Sequence, residues 1–507
     1  MTLEIIRRLS STALMLALIS WLGVACDWNQ FGNGPTNPHN STFPGPIAGL
    51  GFQQNLQHPM GGLLHAPEVG VTSDKHGSMY VSSYDRFINA YSPTGALAGS
   101  YNMGMPGPRA IPFIASERSN PKSAMIFTGA EGGGFHAIDV AKTTFMSYAL
   151  TLADVDMTFG PSESSPKRAQ DRTLYVVDKK GEVRRYQFAG GTLTLLGVYP
   201  LGEGVPGGIA LYDVDPQYPD EEVLVATASG NLYVLDHNLT NVLWTNTDGA
   251  PTADLYYAGV TVAERGTMAP IAILPIAHHG AAGSSPHSGL VRAINLQSRL
   301  TEWIIAPSQS VIGTDAIEGS VALLFEQQVP NGTTPGNPGS GTGTVDDPTV
   351  GVNPGVNTSV IGGDLTITTG STGGTVVVST PNNSGTVTTG SGGTTTTTSS
   401  TRPVYHATFA SSDRFLYGID LQLGVEVWHA QLRDSAWDAP VVDRDNIIYV
   451  GDAQSNIYAF EGKAPMHGMM LWVDTRIGGG PNDIVKLGIH GRGGLIVGAG
   501  DRAFRFR

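Results

Sequence analysis

The chain has 507 residues, of which 66 are glycine and 14% are charged, and its formal net charge is −14. This composition excludes a chain that is disordered throughout. The acidic balance argues against binding to nucleic acid and against attraction to anionic lipid, because both depend on clustered Lys and Arg.

The first 25 residues have the pattern of an export signal. Arg7 and Arg8 form a positive segment, and the apolar run from Thr12 to Val24 is too short to span a membrane comfortably. Cys26, the only cysteine, follows at once and has no disulfide partner in the chain. Residues 22–26 resemble a bacterial lipobox, so we expect lipidation of Cys26; ordinary cleavage after Ala25 is the alternative.

After a linker at 26–50, the chain repeats one pattern of short strands. Each unit has an apolar strand, a strand of the type x-h-Tyr-Val, a tight polar turn, a strand ending near Asp, and a last strand that often carries Trp. Alternating apolar and polar residues predict strands, and Gly, Asp and Asn between them predict hairpin turns. The units are Pro67–Tyr101, Ile111–Tyr148, Ser165–Tyr199, Gly208–Thr247, Tyr257–Ala306, a sixth that begins at Gly319 and resumes at Tyr405, Ala439–Val473, and Asp483–Arg507.

Three of these units share a fixed spacing. An Asp or Asn precedes a Trp by the same number of residues in Asp236–Trp244, Asn295–Trp303 and Asp420–Trp428. Units with this period and four short strands are typical of β-propeller blades. The sequence therefore predicts an all-β, eight-bladed β-propeller of four-stranded antiparallel blades, with its first part at 51–328 and its second part at 402–507.

The last unit ends at Arg507 after only three strands, which would leave an open edge prone to aggregation. The segment Gly51–Gln57 lies just before the first complete unit. We expect it to supply the fourth strand of the last blade and so to close the ring. We also expect four tryptophans of the outer strands to pack between neighbouring blades, where each buries a large apolar area; they are Trp244, Trp303, Trp428 and Trp472.

Residues 329–401 interrupt the sixth unit. They consist almost wholly of Gly, Thr, Ser, Pro, Asn and Val. Such a segment buries too little apolar surface to offset its conformational entropy. We expect a disordered insert that projects from blade six.

The repeat resembles a known family. Residues 418–428 are similar to the tryptophan-docking repeat of pyrroloquinoline-quinone propellers, Ala-x-Asp-x-x-x-Gly-x-x-x-Trp, with Gly418 in place of the Ala. Trp28, Gln30, Phe31 and Gly32 also match the Trp-x-Gln-Phe-Gly opening of that superfamily. The chain thus resembles the quinoprotein-type β-propeller superfamily from about residue 28 to its end, apart from the insert.

Two branches of that superfamily imply different functions. The dehydrogenase branch carries a vicinal cysteine pair, a calcium site and a catalytic Asp, and this chain has no cysteine after Cys26. The resemblance therefore favours the non-enzymatic lipoprotein branch, typified by the outer-membrane assembly factor BamB. It implies a lipid-anchored scaffold, without catalysis or cofactor, that binds a protein partner at the periplasmic face of the inner or outer membrane. A quinone-dependent dehydrogenase and a ligand- or glycan-binding sensor are the alternatives.

Motifs for chemistry are weak. Asp213, Asp215 and Asp220 resemble a degenerate calcium loop, since oxygen ligands at alternate positions can surround a hard cation. Gln217 and Tyr218 stand where that loop needs an acid and a glycine, so a solvated acidic turn is the favoured interpretation.

A second candidate metal site is formed by three histidines around a Gly/Ser/Pro loop, which rarely holds ligands in fixed geometry. These histidines are His278, His279 and His287. Apart from Cys26 as the lipidation site, we assign no catalytic, cofactor-binding or metal residue.

Overall fold

The computed structural model describes residues 71–324 and 406–499 with short gaps, strands at 54–59 and 502–506, strand segments between 356 and 401, and four positions between 36 and 46. The chain divides into two compact units. One consists of Cys26–Phe325 and Pro403–Arg507, and the other of Met1–Ala25 and Glu326–Arg402. No helix in the described part is long and apolar enough to cross a membrane.

The larger unit is built from strands that pair with their neighbours in the chain. Its described residues form eight four-stranded antiparallel sheets, which we call blades 1–8. Strand β1 is Gln54–Pro59. Blade 1 has β2 Val71–Ser73, β3 Met79–Ser82, β4 Phe87–Tyr91 and β5 Leu97–Asn102; blade 2 has β6 Phe113–Ala115, β7 Ser123–Gly129, β8 Phe135–Thr144 and β9 Ser147–Asp156; blade 3 has β10 Lys167–Arg168, β11 Leu174–Val177, β12 Glu182–Ala189 and β13 Thr192–Pro200; blade 4 has β14 Ile209–Tyr212, β15 Glu222–Ala226, β16 Leu232–Leu235 and β17 Val242–Asn246.

The remaining strands follow the same order, with two additions. A short parallel pair joins β20 to β23, and β25–β29 lie in the insert. Blade 5 has β18 Thr261–Arg265, β19 Met268–Ile276, β21 Leu290–Asn295 and β22 Thr301–Ile305, and the parallel pair is β20 His287–Ser288 and β23 Thr314–Asp315; blade 6 has β24 Ala322–Leu324, β30 His406–Ala410, β31 Phe415–Asp420 and β32 Val425–Gln431; blade 7 has β33 Val441–Val442, β34 Ile447–Gly451, β35 Ile457–Glu461 and β36 Met470–Asp474; blade 8 has β37 Val485–Ile489, β38 Leu495–Ala499 and β39 Arg502–Phe506.

The N-terminal strand completes the last blade. β1 pairs with β39 in antiparallel register, with Gln57 opposite Phe504 and Pro59 opposite Arg502. The closure expected from the sequence is confirmed, although the paired strand is Gln54–Pro59 rather than 51–57. The predicted class, an all-β multi-bladed propeller closed by an N-terminal strand, is confirmed as well.

The core lies between adjacent blades. One cluster joins Ala210, Leu224 and Val234 of blade 4 to Ala272 and Ile294 of blade 5. Similar clusters of buried apolar residues join blades 5 and 6, 6 and 7, and 7 and 8. We call each contact between two adjacent blades a joint. Packing at the joints stabilises the ring because each blade buries both of its faces against its neighbours.

The outer-strand tryptophans lie at four of these joints, as expected. They pack against the clusters at the joints that follow their own blades, in the order Trp244, Trp303, Trp428 and Trp472. Each stands opposite a small or branched residue of the third strand, next to a bulge. The repeated spacing from Asp or Asn to Trp thus has a structural basis. It spans the turn between the third and fourth strands and one bulge, and it ends at the indole that packs between blades.

The Asp or Asn of the repeat fixes the turn between the third and fourth strands. The Asp420 carboxylate accepts hydrogen bonds from the backbone N–H groups of Gln422 at 2.7 Å and Leu423 at 2.9 Å. Asn295 does the same in blade 5 for Gln297 and Ser298. These bonds are Asx turns, which explains why the position takes Asp or Asn.

The described part of the insert contains short strands. Between residues 356 and 401 it forms a two-stranded and a three-stranded antiparallel sheet. Thr and Val have high β-propensity, and Gly and Asn supply the turns between strands, so strand pairing is locally favoured even without aromatic residues. Residues 329–355 lie outside the described part. The strands are β25 Val356–Ile361, β26 Asp364–Thr369, β27 Thr375–Thr380, β28 Asn383–Thr389 and β29 Thr395–Thr401.

Candidate functional site

Most of the residues singled out in the sequence lie outside the described part of the structure. Asp213 and Asp220 are exposed, and Asp215 and Cys26 lie outside the described residues. Within the described ranges, no group of three His, Cys, Asp or Glu side chains is arranged to hold a metal ion. Of the three histidines, His287 belongs to β20, and the other two lie outside the described part.

One cluster of reactive side chains lies at the joint of blades 1 and 2. Lys142 forms an ion pair with Asp74, and its Nζ donates a hydrogen bond of 2.9 Å to Oγ of Ser78. The Tyr80 hydroxyl donates to Asp74 at 3.0 Å, and Ser78 Oγ lies 2.9 Å from the Tyr148 hydroxyl. Burial, followed by the Asp74 charge, raises the pKa of the Tyr80 hydroxyl well above its usual value.

This cluster has the residue types of a nucleophile and its base, a serine next to a lysine. Its accessibility, however, does not suit catalysis. Ser78 and the Asp74 side chain are fully buried, and the Lys142 side chain is 7% exposed. A substrate cannot reach Ser78 in this arrangement. The cluster therefore acts as a buried ionic joint between blades, in which each charged group has its partner.

A second network joins blades 3 and 4. The Tyr175 hydroxyl donates a hydrogen bond of 2.7 Å to the carbonyl oxygen of His237. His237 Nε2 lies 3.1 Å from Asp171, which also accepts a 2.9 Å bond from Arg185. Burial raises the pKa of the nearby Glu221 carboxyl, which accepts the backbone N–H of Gln170 at 2.8 Å. Tyr175 is fully buried, so this network is also a joint.

The N-terminal segment reaches the inner side of the ring. Thr36 accepts a backbone hydrogen bond of 2.9 Å from Val262 on β18, and Ser41 donates one of 2.8 Å to Val442 on β33. These two strands are the first strands of blades 5 and 7, and first strands surround the central channel of a propeller. The inner edges of both blades are therefore bonded by this segment.

The outer edge of blade 3 offers an accessible surface. β13 pairs with β12 alone among the described strands. Its sequence, Thr192–Pro200, contains no charged residue. Leu195 and Leu196 are each 44% exposed, and Val198 is 39% exposed. A bulge opposite Arg185 and Tyr186 turns both leucines outward in succession. We call this edge the blade-3 rim.

The sequence analysis predicted neither the buried polar networks between blades nor the blade-3 rim. Three buried aspartates each bond the hydroxyl of a tyrosine six residues later, in Asp74–Tyr80, Asp443–Tyr449 and Asp452–Tyr458. This spacing is visible in the sequence and could have identified the buried turns. The blade-3 rim could have been found as a nine-residue strand pattern without a charge, since exposed edge strands usually carry one.

Comparisons with known proteins identify the fold. No protein-family model and no curated relative matches the sequence. The structure is similar to Sqt1 of Saccharomyces cerevisiae, with a TM-score of 0.52 and 10% identity over 92% of this chain and 99% of that chain. It is also similar to a europium-containing methanol dehydrogenase, with a TM-score of 0.54 and 12% identity over 96% of this chain and 92% of that chain.

A third similar structure is BamB from Moraxella catarrhalis, which matches over 89% of this chain and 86% of that chain at 12% identity; its TM-score of 0.35 supports no inference. At 10–12% identity, these likenesses establish the fold alone. They confirm the multi-bladed β-propeller. The fold expected from the resemblance is thereby confirmed.

Proposed function

We propose that this protein is a non-catalytic scaffold of the cell envelope that binds a protein partner through the blade-3 rim. Residues 1–25 direct its export, and a lipid on Cys26 holds it at the periplasmic face of the membrane. The partner is an outer-membrane assembly protein that contributes an extended, mainly apolar segment. That segment adds a strand to β13, with main-chain hydrogen bonds giving affinity and alternate side chains giving specificity.

The observation that supports this proposal is the uncharged, exposed edge of β13. Natural edge strands are protected by charges, proline or short length. β13 has nine residues with proline only at its end. Among the other outer strands, β22 and β32 contain Glu and β9 and β36 contain Asp. β1, β5 and β17 also lack Asp, Glu, Lys and Arg, but they have only five or six residues. A long edge strand without a charge is suited to a specific partner. The net charge of −14 favours a partner with a basic surface around that segment.

The first test is crosslinking and capture from membranes with a matched pair of variants. Leu196→Lys places a charge on the blade-3 rim. Val427→Lys places one on β32, where the native side chain is also 44% exposed. We expect capture of an outer-membrane assembly component that Leu196→Lys abolishes and Val427→Lys preserves. Equal capture by both variants would contradict the role of the rim.

Two further measurements test the remaining parts of the proposal. Purified protein, supplied with pyrroloquinoline quinone and calcium, should not oxidise alcohols or sugars; robust quinone-dependent turnover would overturn the non-catalytic role. Cys26→Ser should release the protein from membranes and remove incorporation of labelled fatty acid. Unchanged partitioning and labelling would show that Cys26 is not the anchor.

A further inference from the structure

A second surface feature lies at the tip of the last hairpin of blade 7. The segment 466–470 reads Met-His-Gly-Met-Met and contains no carboxylate. Met466, Met469 and Met470 are 50%, 45% and 51% exposed. Methionine side chains are usually buried, so three exposed thioethers in five residues are unusual for a surface turn.

The backbone of this segment is held in one conformation. The Met469 N–H donates a 3.0 Å hydrogen bond to the carbonyl of Met466, and Gly468 has a φ of 72°. An i to i+3 bond with glycine at positive φ in the third position defines a type II turn, which brings the first and fourth Cα atoms within about 7 Å. The two thioethers therefore leave the same turn, with His467 between them at its second position.

The turn is fixed from beneath by a tryptophan of blade 6. A Cβ atom on Gly468 would lie 2.6 Å from Cε3 of Trp428, so glycine is required for this close approach. The turn also pairs with its own hairpin, because the Gly468 N–H donates to the carbonyl of Glu461 at 2.9 Å. The segment is thus a preorganised turn on an aromatic base.

A second imidazole lies beside this turn. The ring of His406, at the start of β30, has its centroid 5.3 Å from that of His467, with an angle of 59° between the ring planes. Two imidazoles that ligate one metal ion at about 2.0–2.1 Å with a tetrahedral angle place their centroids about 5 Å apart. The observed separation already fits a shared ion.

We propose that His406, His467, Met466 and Met469 form a binding site for Cu(I). Thioether sulfur is a soft ligand that selects Cu(I), and imidazole binds copper well. Hard cations such as Mg²⁺ and Ca²⁺ prefer carboxylate and carbonyl oxygen, which this segment does not offer from its side chains. The flexible methionine side chains close on the ion while the histidines and the turn provide the fixed geometry. Met470 lies next to the site at the start of β36.

The experiment measures binding of Ag(I), the redox-inert analogue of Cu(I), and of Cu(I) itself under reducing conditions. The protein is the full chain carrying Cys26→Ser, which removes competition from its only thiol. We expect one equivalent to bind by equilibrium dialysis and to quench the fluorescence of Trp428 beneath the turn. The double substitution Met466→Leu/Met469→Leu should weaken binding at least tenfold, and His467→Asn should do the same. Met to Leu conserves volume and leaves the fold intact.

Met146→Leu is the matched control, because Met146 is also exposed and lies in the corresponding turn of blade 2. It should leave the affinity unchanged. Absence of stoichiometric binding would overturn the proposal. So would binding that survives the double Met substitution or competition by an equal concentration of Zn(II) with equal affinity, since either result would describe a site of imidazoles alone. The outcome is independent of the blade-3 rim.

Discussion

Gly418 is the position at which this chain departs from the tryptophan-docking pattern, and its substitution gives a sharp test of the packing around Trp428. Gly418 stands where the resembling pattern has Ala, so Gly418→Ala moves the sequence toward that pattern. In the structure Gly418 is directly opposite Trp428 on the neighbouring strand. A Cβ atom on Gly418 would lie 2.1 Å from Cε2 and 2.2 Å from Nε1 of that indole.

The indole cannot move away to accommodate a methyl group. Its other side meets Gly468 of blade 7, where an added Cβ would lie 2.6 Å from Cε3. Overpacking of this kind costs about 1–3 kcal/mol. It exceeds the gain of about 0.4–1 kcal/mol that Gly to Ala gives by restricting the unfolded chain. We therefore expect Gly418→Ala to lower the free energy of unfolding by about 1–2 kcal/mol.

A double-mutant cycle separates the clash from other effects of the substitution. Urea unfolding followed by far-ultraviolet circular dichroism would be measured for the native chain, for each single variant and for the pair Gly418→Ala and Trp428→Leu. We expect Gly418→Ala to be neutral or stabilising once the indole is gone. A stabilising effect in the native background, or an equal cost in both backgrounds, would refute the contact between Gly418 and Trp428 as its cause.

Three other variants test the joints and the closure of the ring. Lys142→Met leaves the buried charge of Asp74 without its partner and should cost about 3–5 kcal/mol in urea unfolding, whereas Lys142→Met with Asp74→Asn should cost clearly less; equal costs would show that the ion pair does not matter. Burial lowers the pKa of His136 to about 4, below its value of about 6.5 in the unfolded chain. The unfolded chain then binds more protons between these values, so stability is full above pH 6.5 and is lost as the pH falls toward 4. From pH 7 to 5 this loss is about 2 kcal/mol and should be absent in His136→Phe; identical pH profiles would contradict it. Deletion of Gln54–Pro59 should expose the edge of β39 and cause oligomerisation detectable by light scattering, while a monomeric, equally stable variant would show that β1 does not close the ring.

Much of the fold could be predicted because its determinants are local. A blade can be recognised in the sequence by its alternating apolar and polar residues and by its turn residues. The fixed spacing from Asp236 to Trp244, or from Asp420 to Trp428, is a further mark. The closing strand could be predicted because the last unit lacks one strand and an unpaired strand pattern precedes the first. Its bounds moved by a few residues, since the register with Phe504 and Phe506 depends on a bulge near Gln54.

The ionic joints could not be predicted in the same way. Lys142 and Asp74 are separated by 68 positions, and nothing in either local pattern indicates the other. Asp171 and His237 are likewise brought together only by the stacking of two blades. The disorder expected for residues 329–401 stays a prediction; the strands described between residues 356 and 401 reflect the high β-propensity of Thr and Val.

The joints between blades differ along the chain: those after the first three blades carry charged side-chain contacts, and those after blades 4 to 7 carry a tryptophan. The joints after blades 1 and 2 carry the ion pairs Asp74–Lys142 and Asp156–Arg184, and the joint after blade 3 carries a 2.7 Å hydrogen bond from the Arg185 guanidinium to Asn238 Oδ1. The joints after blades 6 and 7 carry an indole. The joints after blades 4 and 5 carry an indole together with an arginine bond to a carbonyl of the neighbouring blade, from Arg292 to Gly230 at 2.7 Å and from Arg265 to Leu421 at 2.9 Å. Apolar joints depend on shape, whereas ionic joints lose stability when one partner changes its protonation. Blade 3, which carries the rim, is therefore held by the Asp156–Arg184 ion pair on one face and by the Arg185 hydrogen bond to Asn238 on the other.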